Sequence, residues 1–509
     1  MRRVLVAILV LLVATGCTGS GPPEGKATSG APTPGARSGG DPNRPTPTPN
    51  PVVVENSRPG TTAWKRSRTG PSQLIEGYAD KIAVRPGDSF RLFVSTTAPG
   101  FSATAFRVGW YGGTGGREVW TSPRIRGIRQ VKPVVERPLN TVVARWKPSA
   151  TVSTKGWPEG NYLIKLRSEA GYENYVPITV RSTSTSGKVV LVNGVTTWQA
   201  YNLWGGYDLY EGPTGYSDRS RAVSFDRPYD DAGMSRFLSG ERPAIVLAER
   251  LGVPLAYITD IELATDPGLL AGARALITLG HDEYWTSSMR TNTIEAREAG
   301  TNLAFLGANA IFRHARLAST ALGPNRLVIC YKSFEEDPIR KTNPSEATQD
   351  WRFPPDPRPE SVLTGLMYDC FPANAAFVVT NPTNWLFAGT GVRKGTKFPN
   401  LVGVESDRLD LRKPTPRPIE ILSDSPVLCG TDRRTWANSA YYTVGSGAGV
   451  FNTGTLRWVQ ALGHSKRFNP RTWRFVEQVT ANLLRGFAQG PAGRRHPARD
   501  NADDYTHGR

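Results

Sequence analysis

Histidine and cysteine are scarce in this chain, which has five of the first and four of the second in 509 residues. So few, unclustered, build no zinc site, and H-E-x-x-H, G-x-S-x-G and P-loop motifs are all missing. Those absences remove the commonest metalloprotease, serine-hydrolase and nucleotide-hydrolase signatures. Beyond the N-terminus no apolar run approaches the roughly 18 residues that span a membrane. Acidic residues are outnumbered 44 to 62 by Lys and Arg, leaving a formal charge of +18. The cations are scattered except in the tail "GRRHPARDNADDYTHGR". That pattern argues for anionic lipid or cell-wall polymer as a neighbour and against nucleic acid as a partner. Aromatics, by contrast, are plentiful, with 13 Trp, 17 Tyr and 18 Phe, as a globular chain with a large core requires.

The N-terminus reads "MRRVLVAILVLLVATGC", two arginines and a short apolar run ending in small residues before Cys17. This is the pattern of a lipoprotein signal over 1–16, with Cys17 as the lipidated first residue of an exported, membrane-anchored protein. Residues 17–61, dominated by Pro, Gly, Ser and Thr, read as a flexible tether. In an oxidising compartment three further cysteines allow one bridge. Cys330 in "RLVICYK" and Cys370 in "LMYDCFP" flank a Pro-rich loop and are the expected disulfide, with Cys429 left free.

From 62 to 184 short alternating runs such as "SFRLFVSTT", "ATAFRVGWYGG" and "GNYLIKLRSE" predict an immunoglobulin- or fibronectin-like β-sandwich. The period then changes. "KVVLVN", "VPLAYITD", "ARALITLG" and "TNLAFLGAN" are apolar strands, and helical stretches separate the last three. This predicts a doubly wound α/β domain over 187–490, with ligands beyond the carboxyl ends of its strands. The segment from about 320 to 440 reads as loop-rich, wrapping the sheet or covering the crevice, and 491–509 as a polar basic tail. The fold class is therefore α+β multidomain. Nothing in the sequence sets the oligomeric state.

Two crevice loops carry chemistry. "GHDEYW" places His281 and Glu283 two residues apart, on the same side if the chain is extended, and "GAN" ends on Asn309. A third loop, "TTWQAYNLWGGYDLY", follows the first strand and is dense in tyrosine. Tyrosinate and carboxylate are hard anionic ligands that favour ferric iron over zinc or copper. A different reading takes Asp282, Glu283 and Glu405 of "LVGVESDR" as a glycosidase-type carboxylate pair. The bland one makes "GHDEYW" a hydrogen-bonded corner anchoring a loop.

Taken together, "WQAYNLWGGYDLY", "LGHDEYW" and "LAFLGAN" resemble the C-terminal domain of the N,N-dimethylformamidase large subunit, a family with a β-sandwich before a glutamine-amidotransferase-like α/β domain. The resemblance covers roughly residues 75–490 and implies a mononuclear iron held by two tyrosines and a glutamate, hydrolysing a small amide. Carried over, Glu283 and Tyr201 are metal ligands, and His281 and Asn309 orient substrate or water. The second tyrosine is Tyr162 by position, with Tyr207 and Tyr210 as alternatives. The chain departs from the enzyme in its anchor, in lacking the preceding lectin-like region and in showing no small partner subunit.

The reading is thus an exported lipoprotein that is an iron-dependent hydrolase of an amide or related C–N bond, acting on a small or envelope-derived substrate. In it His281 is the acid/base group and Asn309 an oxyanion donor. The alternatives are a non-catalytic lipoprotein binding envelope glycan or protein, and the two-carboxylate glycoside hydrolase.

Overall fold

The structure, a computed structural model, describes residues 49–507. The signal, Cys17 and the tether up to residue 48 lie outside the described residues. Among the described residues no helix is long and apolar enough to cross a membrane.

The sandwich expected over 62–184 consists of two facing sheets. One orders the strands Ile75–Ala79, Ser89–Thr96 and Ala150–Ser153; the other is built around Gly160–Ser168, flanked by Gly100–Val108 and Glu173–Val180. Alternation does the sorting. In Gly160–Ser168 the side chains of Tyr162, Ile164 and Leu166 fill the core between the sheets, while Leu163 packs on the opposite side against the α/β region. This strand is therefore buried on both faces over residues 160–164.

In the α/β region the strand order is Leu255–Thr259, Val189–Asn193, Ala275–Thr278, Asn302–Phe305, Gly449–Asn452, then Arg433–Thr443 and Ile419–Cys429. The first five are parallel and the last two antiparallel. Successive residues of Val189–Asn193 enter different cores: Val189 and Leu191 lie with Ile245 and Val476, Val190 and Val192 with Leu263 and Met289. Helices thus cover both faces, and each fully buried aliphatic contributes about 1.5–3 kcal/mol. Their ends are set locally. Thr286 accepts from Met289 N–H to start Ser287–Glu298, and Asn469 with Pro470 starts the 19-residue helix Pro470–Ala488.

Four expectations need correction. The segment 320–440 is not mainly loop: Met367–Val378, Lys397–Arg408 and Ile419–Cys429 are strands of 12, 12 and 11 residues, and Arg433–Thr443 begins within it. Pro372 and Asn374 hide the first of these, and its pairing with Lys397–Arg408 shifts register three times. The assigned tether already carries structure at its end, a helix Pro51–Asn56 that buries Val52, Glu55 and Asn56. The tail 491–509 is packed as far as it is described, with Ala492, Ala498 and Ala502 in the cores and Arg417 paired to Asp500.

The disulfide is Cys370–Cys429, with Cα atoms 5.6 Å apart, and not Cys330–Cys370. Both of its cysteines lie on strands that pack together, Met367–Val378 and Ile419–Cys429. Cys330 is buried elsewhere, with its thiol against the His314 carbonyl.

Candidate functional site

Three loops at the carboxyl ends of adjacent parallel strands build the site. The first strand feeds the short helix Val195–Ala200, which stops at Tyr201. The loops opening with Gly280 and Gly307 lie backbone to backbone: a Cβ on Gly307 would fall 2.1 Å from the Gly280 carbonyl oxygen. Only glycine permits that approach, and it brings "GHDEYW" beside "GANAIF". The backbone there is pinned. Glu283 N–H donates to Thr197 Oγ1 (3.0 Å), Arg313 N–H to the Glu283 carbonyl (2.9 Å) and Ile311 N–H to the Asp282 carbonyl (3.0 Å). Asn309 and Ile311 both take φ 56°, a left-handed conformation rare for a β-branched residue, so these bonds hold a strained loop.

At the centre the oxygens of three side chains converge. The Tyr201 hydroxyl donates to Glu283 Oε2 (2.8 Å), the Tyr210 hydroxyl donates to both carboxylate oxygens (2.9 Å each), and the two hydroxyls are 2.9 Å apart. Tyr284 adds a hydroxyl 2.8 Å from that of Tyr210. The Tyr201 and Tyr210 rings stack, with centroids 4.6 Å apart. His281 Nε2 is 3.0 Å from the Tyr201 hydroxyl and 3.3 Å from Glu283 Oε2, so His281 and Glu283 do point the same way. Asp282, between them, turns instead toward Gly194 and Asp260 and takes no part in a carboxylate pair with Glu283.

Tyr162 is not brought to this cluster. It is buried in the sandwich core, its hydroxyl donating to the Pro158 carbonyl, and it borders a cavity of about 30 Å³ that also touches Trp198 and Arg227. The tyrosine that joins Tyr201 and Glu283 is Tyr210, and Tyr207 reaches Arg137 instead. Being on the same loop as Tyr201 was the available signal, and position within the resemblance overrode it.

The site also holds residues that sequence reasoning missed or set aside. Glu405, from the strand Lys397–Arg408, lies 4.0 Å from His281 Nε2 and near enough to the Asn309 side chain for that amide to act on its pKa. Asp407, two residues on, accepts the Asn309 backbone N–H at 2.8 Å. Arg313 approaches Glu283 at 3.4 Å and pairs with Asp350. Lys332 Nζ sits 3.0 Å from the Tyr210 ring centroid, and the Arg236 guanidinium 3.8 Å from that of Tyr201. Neither cation carries a motif; their signal is tertiary.

Electrostatics sort these groups. Burial would raise the Glu283 pKa, but the His281 hydrogen bond and the charges of His281, Arg313 and Lys332 hold it far below the carboxylate range. Burial would lower that of His281; Glu405 and Glu283 outweigh it and raise it. Glu405 is raised by burial, and burial pushes Lys332 down to about 7. Both tyrosine hydroxyls are driven up by burial and by Glu283.

Whether the donors fit a ferric ion follows from the same groups. Three hard oxygen donors meet at hydrogen-bond distance around Glu283, which stays ionised. Hydroxyls so reluctant to ionise alone need a cation of high charge to hold as phenolates. Around them, His281 Nδ1, Asn309 Oδ1, Glu405 Oε2 and Lys332 Nζ are buried without a hydrogen-bond partner. The chemistry of the set fits the ion. Among the described residues no three His, Cys, Asp or Glu side chains could hold a metal, so any metal here draws on the tyrosines.

Comparison with known proteins gives one informative match. The family described as "N,N-dimethylformamidase beta subunit-like, C-terminal" matches residues 102–470. Among curated proteins none matches. One solved structure with partial similarity is a Paenibacillus sp. cycloisomaltooligosaccharide glucanotransferase complexed with cycloisomaltoheptaose, at 10% identity and a TM-score of 0.16. It shares 45% of this chain and 44% of its own, an overlap too poor to bear on fold or activity.

Proposed function

From its membership in the N,N-dimethylformamidase beta subunit-like, C-terminal family, to which the chain belongs, we propose that it hydrolyses an amide at the Tyr201–Tyr210–Glu283 cluster. The observation that carries this reading is the meeting of two phenol oxygens and one ionised carboxylate beside His281 and Glu405.

Tyr201, Tyr210 and Glu283 would hold ferric iron, which when bound supplies Lewis-acid polarisation of an amide carbonyl. The chain's own residues do the rest. Glu405 accepts a proton from the attacking water as its oxygen bonds to the carbonyl carbon. His281, between Glu405 and Glu283, carries that proton toward the departing nitrogen, and the C–N bond breaks to give an acid and an amine. Asn309, fixed through its N–H by Asp407, places its amide next to Glu405 and donates to the developing oxyanion. Iron-loaded protein should be coloured and should release amine from members of a small-amide panel. Glu283→Gln should lose both colour and turnover. Full iron occupancy with no amide hydrolysed would sink the reading.

We propose also that the chain is exported and tethered to the membrane by lipid on Cys17, as its leader and Pro-rich linker support. Cys17→Ala should shift it from the membrane fraction to the soluble one; unchanged retention would refute the anchor.

A further inference from the structure

Arg236 stands in the last turn of the helix Asp231–Leu238, which Asp230 caps by accepting Gly233 N–H and which Met234 and Phe237 anchor in the core. Its place is therefore fixed by the fold. The half-buried guanidinium lies 3.8 Å over the Tyr201 ring, and its Nε is buried without a hydrogen-bond partner. Among the described residues it forms no ion pair, although its charge is felt by Tyr201, His281 and Glu405.

The other cations around the site are placed differently. Arg313 is committed to Asp350 and Glu283. Lys332, over the Tyr210 ring, has among the described residues no carboxylate at ion-pair distance and no hydrogen bond at Nζ. A cation stripped of water and left without an anion is costly. A planar guanidinium with free N–H groups is shaped for a carboxylate. Tyr201 puts that fork one aromatic ring away from the oxygen cluster where the reaction is placed.

We propose that the substrate is an amide bearing a carboxylate close to its scissile bond, and that Arg236 receives that carboxylate. The site then selects anionic amides such as N-acyl amino acids over neutral ones. The inference rests on the amide-hydrolase reading and names its substrate class.

The test uses the full chain, iron-loaded, with N-acetylglycine and its uncharged counterpart N-acetylglycinamide. Binding is followed by calorimetry and hydrolysis by amine release. Wild type should favour the anion roughly ten- to a hundredfold, the worth of a charged hydrogen-bonded pair. Arg236→Gln should erase that preference by raising KM for the anion far more than for the neutral amide, while any change in kcat falls on both amides alike. A merely structural role would weaken both amides alike and overturns the inference. So does a wild-type chain indifferent to charge, one that binds neither probe, or a preference that survives Arg236→Gln. If Arg236→Gln fails to fold, Arg236→Lys decides: retained charge without the fork should weaken the preference, and an undiminished preference overturns the inference. Charge-indifferent hydrolysis defeats this inference and leaves the amide-hydrolase reading standing. Arg236-dependent binding of the anion without hydrolysis of either amide overturns the amide-hydrolase reading, and the substrate class named on it falls with it.

Discussion

Two buried clusters of charged residues and tyrosines lie in the same chain, and they are finished to different degrees. At the seam between the sandwich and the α/β region, Arg107 pairs with Glu249 at 2.8 Å and also donates to the Tyr111 and Tyr257 hydroxyls and the Glu159 carbonyl. Glu249 in turn accepts from Asn56 and Tyr257. Every charge there has its partners. At the strand ends, His281 Nδ1, Asn309 Oδ1, Glu405 Oε2, Lys332 Nζ and Arg236 Nε are buried with none. The first cluster is complete without a ligand, whereas the second is arranged as if a further molecule were part of it. Buried polar atoms left open are costly, and a ligand that met them would recover part of that cost.

The largest effect should come from spoiling the finished cluster. Glu249→Gln keeps the shape but leaves Arg107 buried without a counter-charge, and should cost about 3–5 kcal/mol in chemical denaturation. The same isosteric change in the open cluster should behave oppositely. Glu405→Gln removes a desolvated carboxylate, so stability should stay within about 1 kcal/mol of wild type or rise, while kcat/KM falls about a hundredfold or more. Equal destabilisation by the two variants would erase the distinction.

Glu241 tests the ground between. Its carboxylate accepts from Asn193, Trp198 and the Gly194 N–H, forms no ion pair among the described residues, and has its pKa pushed by burial up to about 8. The native chain thus keeps a proton that the unfolded chain loses near its ordinary 4.5. Between those values the unfolded state binds fewer protons, so stability should fall as pH rises from about 5 to about 8. Denaturation at the two pH values should show a shallower decline in Glu241→Gln, and an identical slope would remove Glu241 from the account.

What could be read from the sequence depended on periodicity. The strands around Leu191, Ile258, Ile277 and Ala304 were legible because they are continuous apolar runs, the last three with helical stretches between them. His281 and Glu283 followed from their place at a strand end. Met367–Val378 was not legible, since Asp369, Pro372 and Asn374 break any alternation and only its partner strand justifies them. Arg236 and Lys332 were out of reach as members of one site, because nothing local marks a residue whose neighbours are far away in the chain, and Glu405 was named only within the carboxylate-pair alternative. The misassigned bridge has the same origin. Cys330 and Cys370 flank one loop, yet it is Cys429, on a strand packed against that of Cys370, that meets it.

That Glu405 comes from the strand Lys397–Arg408, clasped to the Asn309 loop through Asp407, bears on when the protein becomes active. A chain is made from its N-terminus, so Tyr201, Arg236 and Glu283 emerge more than a hundred residues ahead of Glu405. A nascent or truncated chain ending before residue 397 carries the tyrosines and Glu283 but lacks the proposed base. The proposed site is therefore incomplete until synthesis has passed residue 405.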